Sequence, residues 1–245
     1  MKTPIQTPLR LSHPTFGAIA VTPRRNMTRI IVRAAGAGSY KASVPFGIDL
    51  QQARPIILEL VERLALKQSR KPPFSYQPGW IYSYPEGEIR ILTGSSKPRH
   101  IVIRPNGNDI EVFLGTELPP SDSAVIDTIR KGLLRLAQRI SARILLPQAA
   151  ERAAQLGLHN IAWETGHATS QLGCCYRRGR RIRLSGLLLF LPVELRLYVI
   201  NHELAHLTHH NHSTQFHELC NSYCLGRETE LARLLKAWNW PFPLH

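Results

Sequence analysis

The pentapeptide His202-Glu203-Leu204-Ala205-His206 constrains this chain more than any other segment. Residues four apart on a helix lie one turn above each other, so two imidazoles at that spacing converge on one tetrahedral cation. The flanks supply the helix. Leu191-Pro192-Val193-Glu194 starts one well, because proline in the first turn sacrifices no hydrogen bond and Glu194 faces the positive end of the dipole. Val193, Leu197, Ile200, Leu204 and Leu207 form its predicted buried stripe, which leaves the face bearing residues 195, 199, 202 and 206 directed elsewhere. Glu203, beside the first imidazole, is placed to act as general base on a water that the cation polarises.

Histidines at 202, 206, 209, 210, 212 and 217 make six of the chain's 11, and Asn211 and Ser213 among them predict a helix break and a new cap. Three protein ligands on a Zn²⁺ leave one position open for water and substrate. His212 is the expected third ligand, since it follows His206 across a five-residue gap where the chain should reverse. Glu218 on the next helix competes for that place, and His210 reaches the ligand face only if the first helix continues. His209, His210 and His217 are expected in solvent or beside the ligands. Cys220 and Cys224, at helical spacing, are expected in the core, and Cys174 and Cys175, neighbours in a turn, are poor joint ligands.

The run from Leu191 to Phe216, LPxxLxxYVIxHELAHLxxxNHSxxF, resembles the YgjP-like metallopeptidases, relatives of the small gluzincin-type zincins and, more distantly, of the SprT-like proteins. Ile30-Ile31-Val32-Arg33 through Ser43-Val44-Pro45, and the helix ending Lys67-Gln68, are similar to that family's opening strands and first helix. The resemblance implies one zinc ion held by His202, His206 and His212, with Glu203 as the catalytic glutamate. The family's Arg-Trp-Gly-Ser-Cys-Ser motif is here Gln171-Leu172-Gly173-Cys174-Cys175-Tyr176, which keeps Gly173 and Cys175. His217 stands where an aromatic commonly follows Phe216, and Ser185 where an asparagine is expected.

That resemblance implies three kinds of activity. The zincin likeness implies peptide-bond hydrolysis, with Arg180 to Ser185 as an edge strand pairing an extended substrate through its backbone. The YgjP branch is also linked to hydrolysis of UTP to UMP and pyrophosphate, for which Arg177, Arg178, Arg180, Arg181 and Arg183 are the candidate triphosphate contacts. The SprT likeness implies a DNA-associated protease or binding protein. The expected partners are therefore a polypeptide or nucleotide substrate, with nucleic acid as a further neighbour and no membrane.

The charge balance bears on those partners. Lys and Arg number 31 against 17 Asp and Glu, a net charge of +14, and residues 128–183 alone hold eleven cations against two acids. Lys131, Arg135, Arg139 and Arg143 step by four along one predicted helix. No aromatic residues interleave with them as base-stacking platforms would require. Four clustered cysteines do not make a secreted disulfide framework, the amino terminus lacks an apolar signal, and the Leu184–Ile200 stretch is broken by Pro192, Glu194 and Arg196. A cytoplasmic chain without a membrane span is expected.

The periodicities describe an α+β chain with a β-rich amino-terminal part, residues 1–120, that holds one helix; the resemblance implies that residues 121–245 are a zincin-like domain. Strands are predicted at Gly17–Val21, Arg29–Arg33, Ile89–Leu92, His100–Ile103 and Ile110–Leu114, with a hairpin turn at Pro105-Asn106-Gly107-Asn108. A helix is predicted over Leu50–Gln68 on a stripe of Ile56, Leu60 and Leu64. A longer one starts at a Ser121 or Ser123 cap, ends or kinks at Pro147, and is closed by Gly157 after a short continuation. Further strands are predicted at Asn160–Glu164 and Arg180–Leu184. The sequence shows no internal repeat.

Overall fold

A computed structural model describes residues 3–35, 39–69, 74–94, 97–176 and 178–244, which fall into two compact units, one ending at residue 73 and the other running from 74 to 244. Mixed helices and small sheets make the chain α+β, as the periodicities require. The predicted boundary near residue 120 falls inside the second unit. The reason is burial: strands between 81 and 114 share one apolar core with the helix that follows them.

The first unit is a four-stranded sheet with one helix. Strands β1 (Leu9–His13), β2 (Gly17–Arg24), β3 (Ile31–Ala34) and β4 (Tyr40–Pro45) take the order β1-β2-β4-β3, with β2 and β4 parallel and the other pairs antiparallel. Ile19 and Val21 on β2 and Tyr40, Ala42 and Val44 on β4 alternate into the core, the period-2 pattern of a sheet with one covered face. Helix α1 (Leu50–Ser69) covers that face with Ala53, Ile57 and Val61. The predicted stripe was thus misplaced by one residue, and Ile56 is 44% exposed.

The second unit opens with the same device. Strands β5 (Ile81–Tyr84), β6 (Gly87–Thr93), β7 (Ile101–Asn106) and β8 (Asp109–Leu114) take the order β5-β6-β8-β7, again with the inner pair parallel and a helix following. Even the register agrees. Ile19 and Val21 face Tyr40 and Ala42 in the first sheet; Ile89 and Ile91 face Ile110 and Val112 in the second. Ser12-His13-Pro14 and Ser83-Tyr84-Pro85 lead the two opening hairpins. The chain therefore contains a repeated ββββα module that its sequence does not announce, because alternation and core volume preserve a sheet while residue identities drift.

The second module's helix is long. Helix α2 (Ser123–Gln155) has 33 residues and is capped by Asp122, between the two serines predicted, whose carboxylate accepts from the N–H groups of Ala124 and Val125. It runs through Pro147, which lies on the exposed side, and closes at Gly157 with φ of 70°. Its first half covers the β5–β8 sheet, and its second half joins another core. Strands β9 (Ala162–Gly166), β10 (Gly173–Tyr176) and β11 (Arg181–Ser185) build a small sheet in the order β10-β11-β9 against that second half. A buried 3₁₀ turn over Gly186–Phe190 then leads to α3 (Val193–Ala205), α4 (Thr214–Tyr223) and α5 (Glu228–Ala237). Among the described residues no helix is long and apolar enough to cross a membrane.

Helix α3 is buried on nearly all sides rather than along one stripe. Leu195, Val199, Ile200 and Leu204 are inside, whereas Val193, predicted to be buried, is 45% exposed. Cys220 and Cys224 lie in the core between α3 and its neighbours, as their spacing predicts.

Candidate metal centre

Helix α3 ends at its two histidines. His202 sits in the last turn and His206 at the C-cap, still in helical geometry, which sets their rings edge to face with centroids 4.9 Å apart. The chain then turns through residues 207–212 until the Ser213 hydroxyl accepts from the Phe216 N–H and caps α4. That reversal carries His212 back over the helix end, its ring 5.1 Å from that of His202 and 4.8 Å from that of His206. Phe216, fully buried, touches all three rings from below at 4.4–4.9 Å and fixes the depth at which they sit.

The three rings present a donor set that fits a metal ion. One nitrogen of each lies within 4.8 Å of the others, and this is the one such group of metal-ligating side chains found among the described residues. His202 Nε2 and His212 Nε2 are 3.1 Å apart, close to the ~3.3 Å separation of two nitrogens bound ~2.05 Å from one tetrahedral ion. His206 Nδ1–H donates to the His209 carbonyl at 3.0 Å, which leaves its Nε2 lone pair free. Burial first, then the neighbouring histidines, hold the His202 pKa down at about 4, and burial lowers that of His206, so both rings are neutral and ligand-competent at pH 7. Glu218, the competing third ligand, is exposed and outside the cluster, and His210 lines the adjoining cleft without joining it. His212→Ala is expected to leave a two-imidazole chelate, so that dialysed protein falls below one metal per chain by elemental analysis.

Glu203 points into a different environment. It is 6% exposed and lies under β10, where the Cys175 N–H donates to its carboxylate. Burial outweighs that bond and pushes its pKa up to about 7, so a proton is exchangeable there near neutrality. Gly173 explains how a strand can lie this close: a Cβ at that position would sit 2.5 Å from both Cγ and Oε1 of Glu203. The two residues retained from the motif at 171–176 are thus the two whose backbone embraces the glutamate. Gly173→Ala is expected to push Glu203 aside and lower turnover by about tenfold to a hundredfold with little change in melting temperature, since displacements of ~1 Å at a reacting centre have that effect.

A cleft of about 530 Å³ opens between α3 and β10, walled by Leu172, Tyr198, Val199 and Leu235. This wall is not legible in the sequence, because its residues come from separate stretches of the chain: the approach to β10, α3 and α5. Strand β11 does not rim the cleft as an edge strand: it is the middle strand of its sheet, hydrogen-bonded on both sides, and the strand facing the cleft is its hairpin partner β10. The Leu172 carbonyl accepts from Ser185 on the β11 side, so alternation turns the backbone of Gly173 and Cys175 the other way, toward the cleft.

The candidate triphosphate arginines lie elsewhere. Arg181 and Arg183 pair with Glu164 at 3.8 and 2.6 Å, and Arg181 also covers the Tyr176 ring at 4.2 Å. Arg178 and Arg180 occupy the exposed β10–β11 turn, Arg180 donating to the His159 carbonyl, and Arg177 lies outside the described residues. None of the four described arginines lines the cleft. His217, in the place of an aromatic, pairs with the buried Glu228 at 2.7 Å and sits 6.2 Å from the His212 ring.

A family model described as YgjP-like, metallopeptidase domain, matches residues 28–237. No curated protein and no solved structure matches the chain.

Proposed function

Since the chain belongs to the YgjP-like metallopeptidase family, whose description points to a metal-dependent hydrolase, we propose that it is a zinc peptidase in which His202, His206 and His212 hold the ion and Glu203 is the general base. The observation that carries this reading is the pairing of a three-imidazole donor set with an adjacent buried carboxyl whose pKa lies near 7. A zinc ion bound there would polarise the scissile carbonyl and lower the pKa of the attacking water. Glu203 takes the proton from that water and returns it to the departing amine, a double duty suited to a group that gains and loses protons near neutral pH. The Cys175 N–H steadies the carboxylate in its charged form, while Gly173 keeps the distance short. The outward backbone of β10 pairs an extended polypeptide along the cleft.

Peptide is preferred over nucleoside triphosphate because, among the described residues, no Lys or Arg lines the cleft. Three phosphates there would find no described Lys or Arg side chain to neutralise them. The test incubates zinc-loaded protein with unfolded casein and, separately, with UTP. Casein cleavage that a chelator abolishes and zinc restores is the expected result; pyrophosphate release without proteolysis would replace the peptidase reading with the nucleotide one.

A further inference from the structure

The geometry points to a second binding site, remote from the metal, that takes a single strand of nucleic acid along the groove between α2 and the edge strand β7. Helix α2 and β7 pack against each other at Gly132, where a Cβ would overlap the Ile103 side chain. The surface over that contact and beyond it is hollow. One depression of about 750 Å³ runs over Ile101 and Ile103, another of about 360 Å³ runs over Pro105 and Ile140, and they share Leu136 and Arg139, so they form one continuous groove.

Its helical wall is a ridge of cations. Lys131, Arg135, Arg139 and Arg143 are all exposed and line this groove. Successive members are four residues apart, ~6 Å along the axis, and the ridge spans ~18 Å. The outer two are anchored: Lys131 pairs with Asp127 at 2.6 Å, and Arg143 donates to the Gly107 carbonyl and the Asn108 side chain. Arg135 and Arg139, between them, have no acceptor among the described residues. Residues 128–150 contain five cations and not one carboxylate, so nothing on this stretch of helix neutralises the row.

A regular row of cations above an apolar floor matches a strand whose phosphates repeat along one side and whose bases turn to the other. The phosphates neutralise the ridge, and the bases cover Ile101, Ile103 and Leu136. A duplex is a poorer match, because its paired bases are turned inward and the floor lies recessed between a helix and a sheet edge. Without aromatic platforms the binding is insensitive to base sequence.

Fluorescence anisotropy of labelled single-stranded DNA and RNA 15-mers, the same sequence as a duplex, and a polyglutamate peptide, titrated with the full chain from 50 to 300 mM salt, tests this. Both single strands should bind more tightly than the duplex, with log Kobs against log salt falling by up to ~2.8 for four phosphates at ~0.7 each. Arg135→Gln with Arg139→Gln should weaken binding at least tenfold at 50 mM salt and flatten the slope by ~1.4. The charge-matched pair Arg10→Gln with Lys41→Gln, on the first unit, should change it less than twofold. Matching far-UV circular dichroism and melting temperature confirm that both variants fold. Tighter duplex binding, tighter polyglutamate binding, equal losses in the two variants, or no binding at 50 mM salt would each overturn the assignment. One asymmetry between single-stranded DNA and RNA is allowed, since it identifies which strand is preferred within the same site.

Discussion

Glu203→Gln is expected to lower turnover by about a hundredfold to ten-thousandfold while leaving one metal per chain, because the three imidazoles are untouched and only the proton carrier is gone. The same substitution should have an opposite effect on stability. The folded-state pKa of Glu203 is about 7, against the ordinary value of 4.5, so between those values the folded chain holds a proton that the unfolded chain has released. Stability therefore falls as pH rises through that window, and above about 7 the full cost of a buried carboxylate is present. Metal-free Glu203→Gln should be more stable than metal-free wild type by about 1–3 kcal/mol at pH 8 and indistinguishable from it near pH 4. His202, whose pKa is held near 4, contributes the reverse trend, but equally in both proteins, so it cancels. Urea unfolding at the two pH values is the measurement. Superimposable curves at pH 8 would show that the carboxylate is solvated and the burial argument wrong. With metal bound, the acid limb of kcat/KM should lie at or below about 7, since a neighbouring cation favours the charged carboxyl.

Glu86→Ala should cost about 3–5 kcal/mol of folding stability, the largest effect expected from a residue remote from the chemistry. Its partner Arg196 is 0% exposed in the middle of α3, where a lone guanidinium is intolerable. Glu86, in the β5–β6 turn, takes both terminal nitrogens at 2.6 and 2.9 Å, and the carbonyls of Leu188, Leu189 and Leu191 accept most of the remaining hydrogens. Removing the carboxylate leaves a buried charge with nowhere to go. Adding Arg196→Met to Glu86→Ala should recover most of the loss, because a well-packed apolar side chain of similar length replaces a desolvated ion pair at little cost. A single variant within ~1 kcal/mol of wild type in urea unfolding would contradict this. Since α3 also carries His202 and Glu203, the β5–β8 module has a stake in the candidate metal centre: it holds the middle of the helix whose end presents the three-histidine cluster.

What could be read directly was local. His202 and His206 share a face because any helix puts residues four apart together, and Ser213 restarts the chain after a short turn, so His212 returns to the same end. The Gly157 stop and the β10–β11 hairpin follow equally from backbone preference, with Gly179 and Arg180 at positive φ in the turn. Errors arose where neighbouring solutions have similar local energy. Sliding the α1 stripe from Ile56 to Ile57 changes nothing until a sheet is placed against it, and the α2 cap moved by one residue to Asp122 for want of any local penalty between candidates.

The amino-acid order by itself determined which three histidines gather, which glutamate adjoins them and the alternation of helices and strands, because hydrogen-bonding range and side-chain period act over a few residues. Only the tertiary structure decided that β10 and not β11 borders the cleft, that Gly173 lies against Glu203, that Glu86 neutralises Arg196 across 110 positions of chain, and that one module occurs twice. Strand partners, close approaches and ion pairs of that separation are chosen by which surfaces exclude water together, and no short window of sequence contains both surfaces.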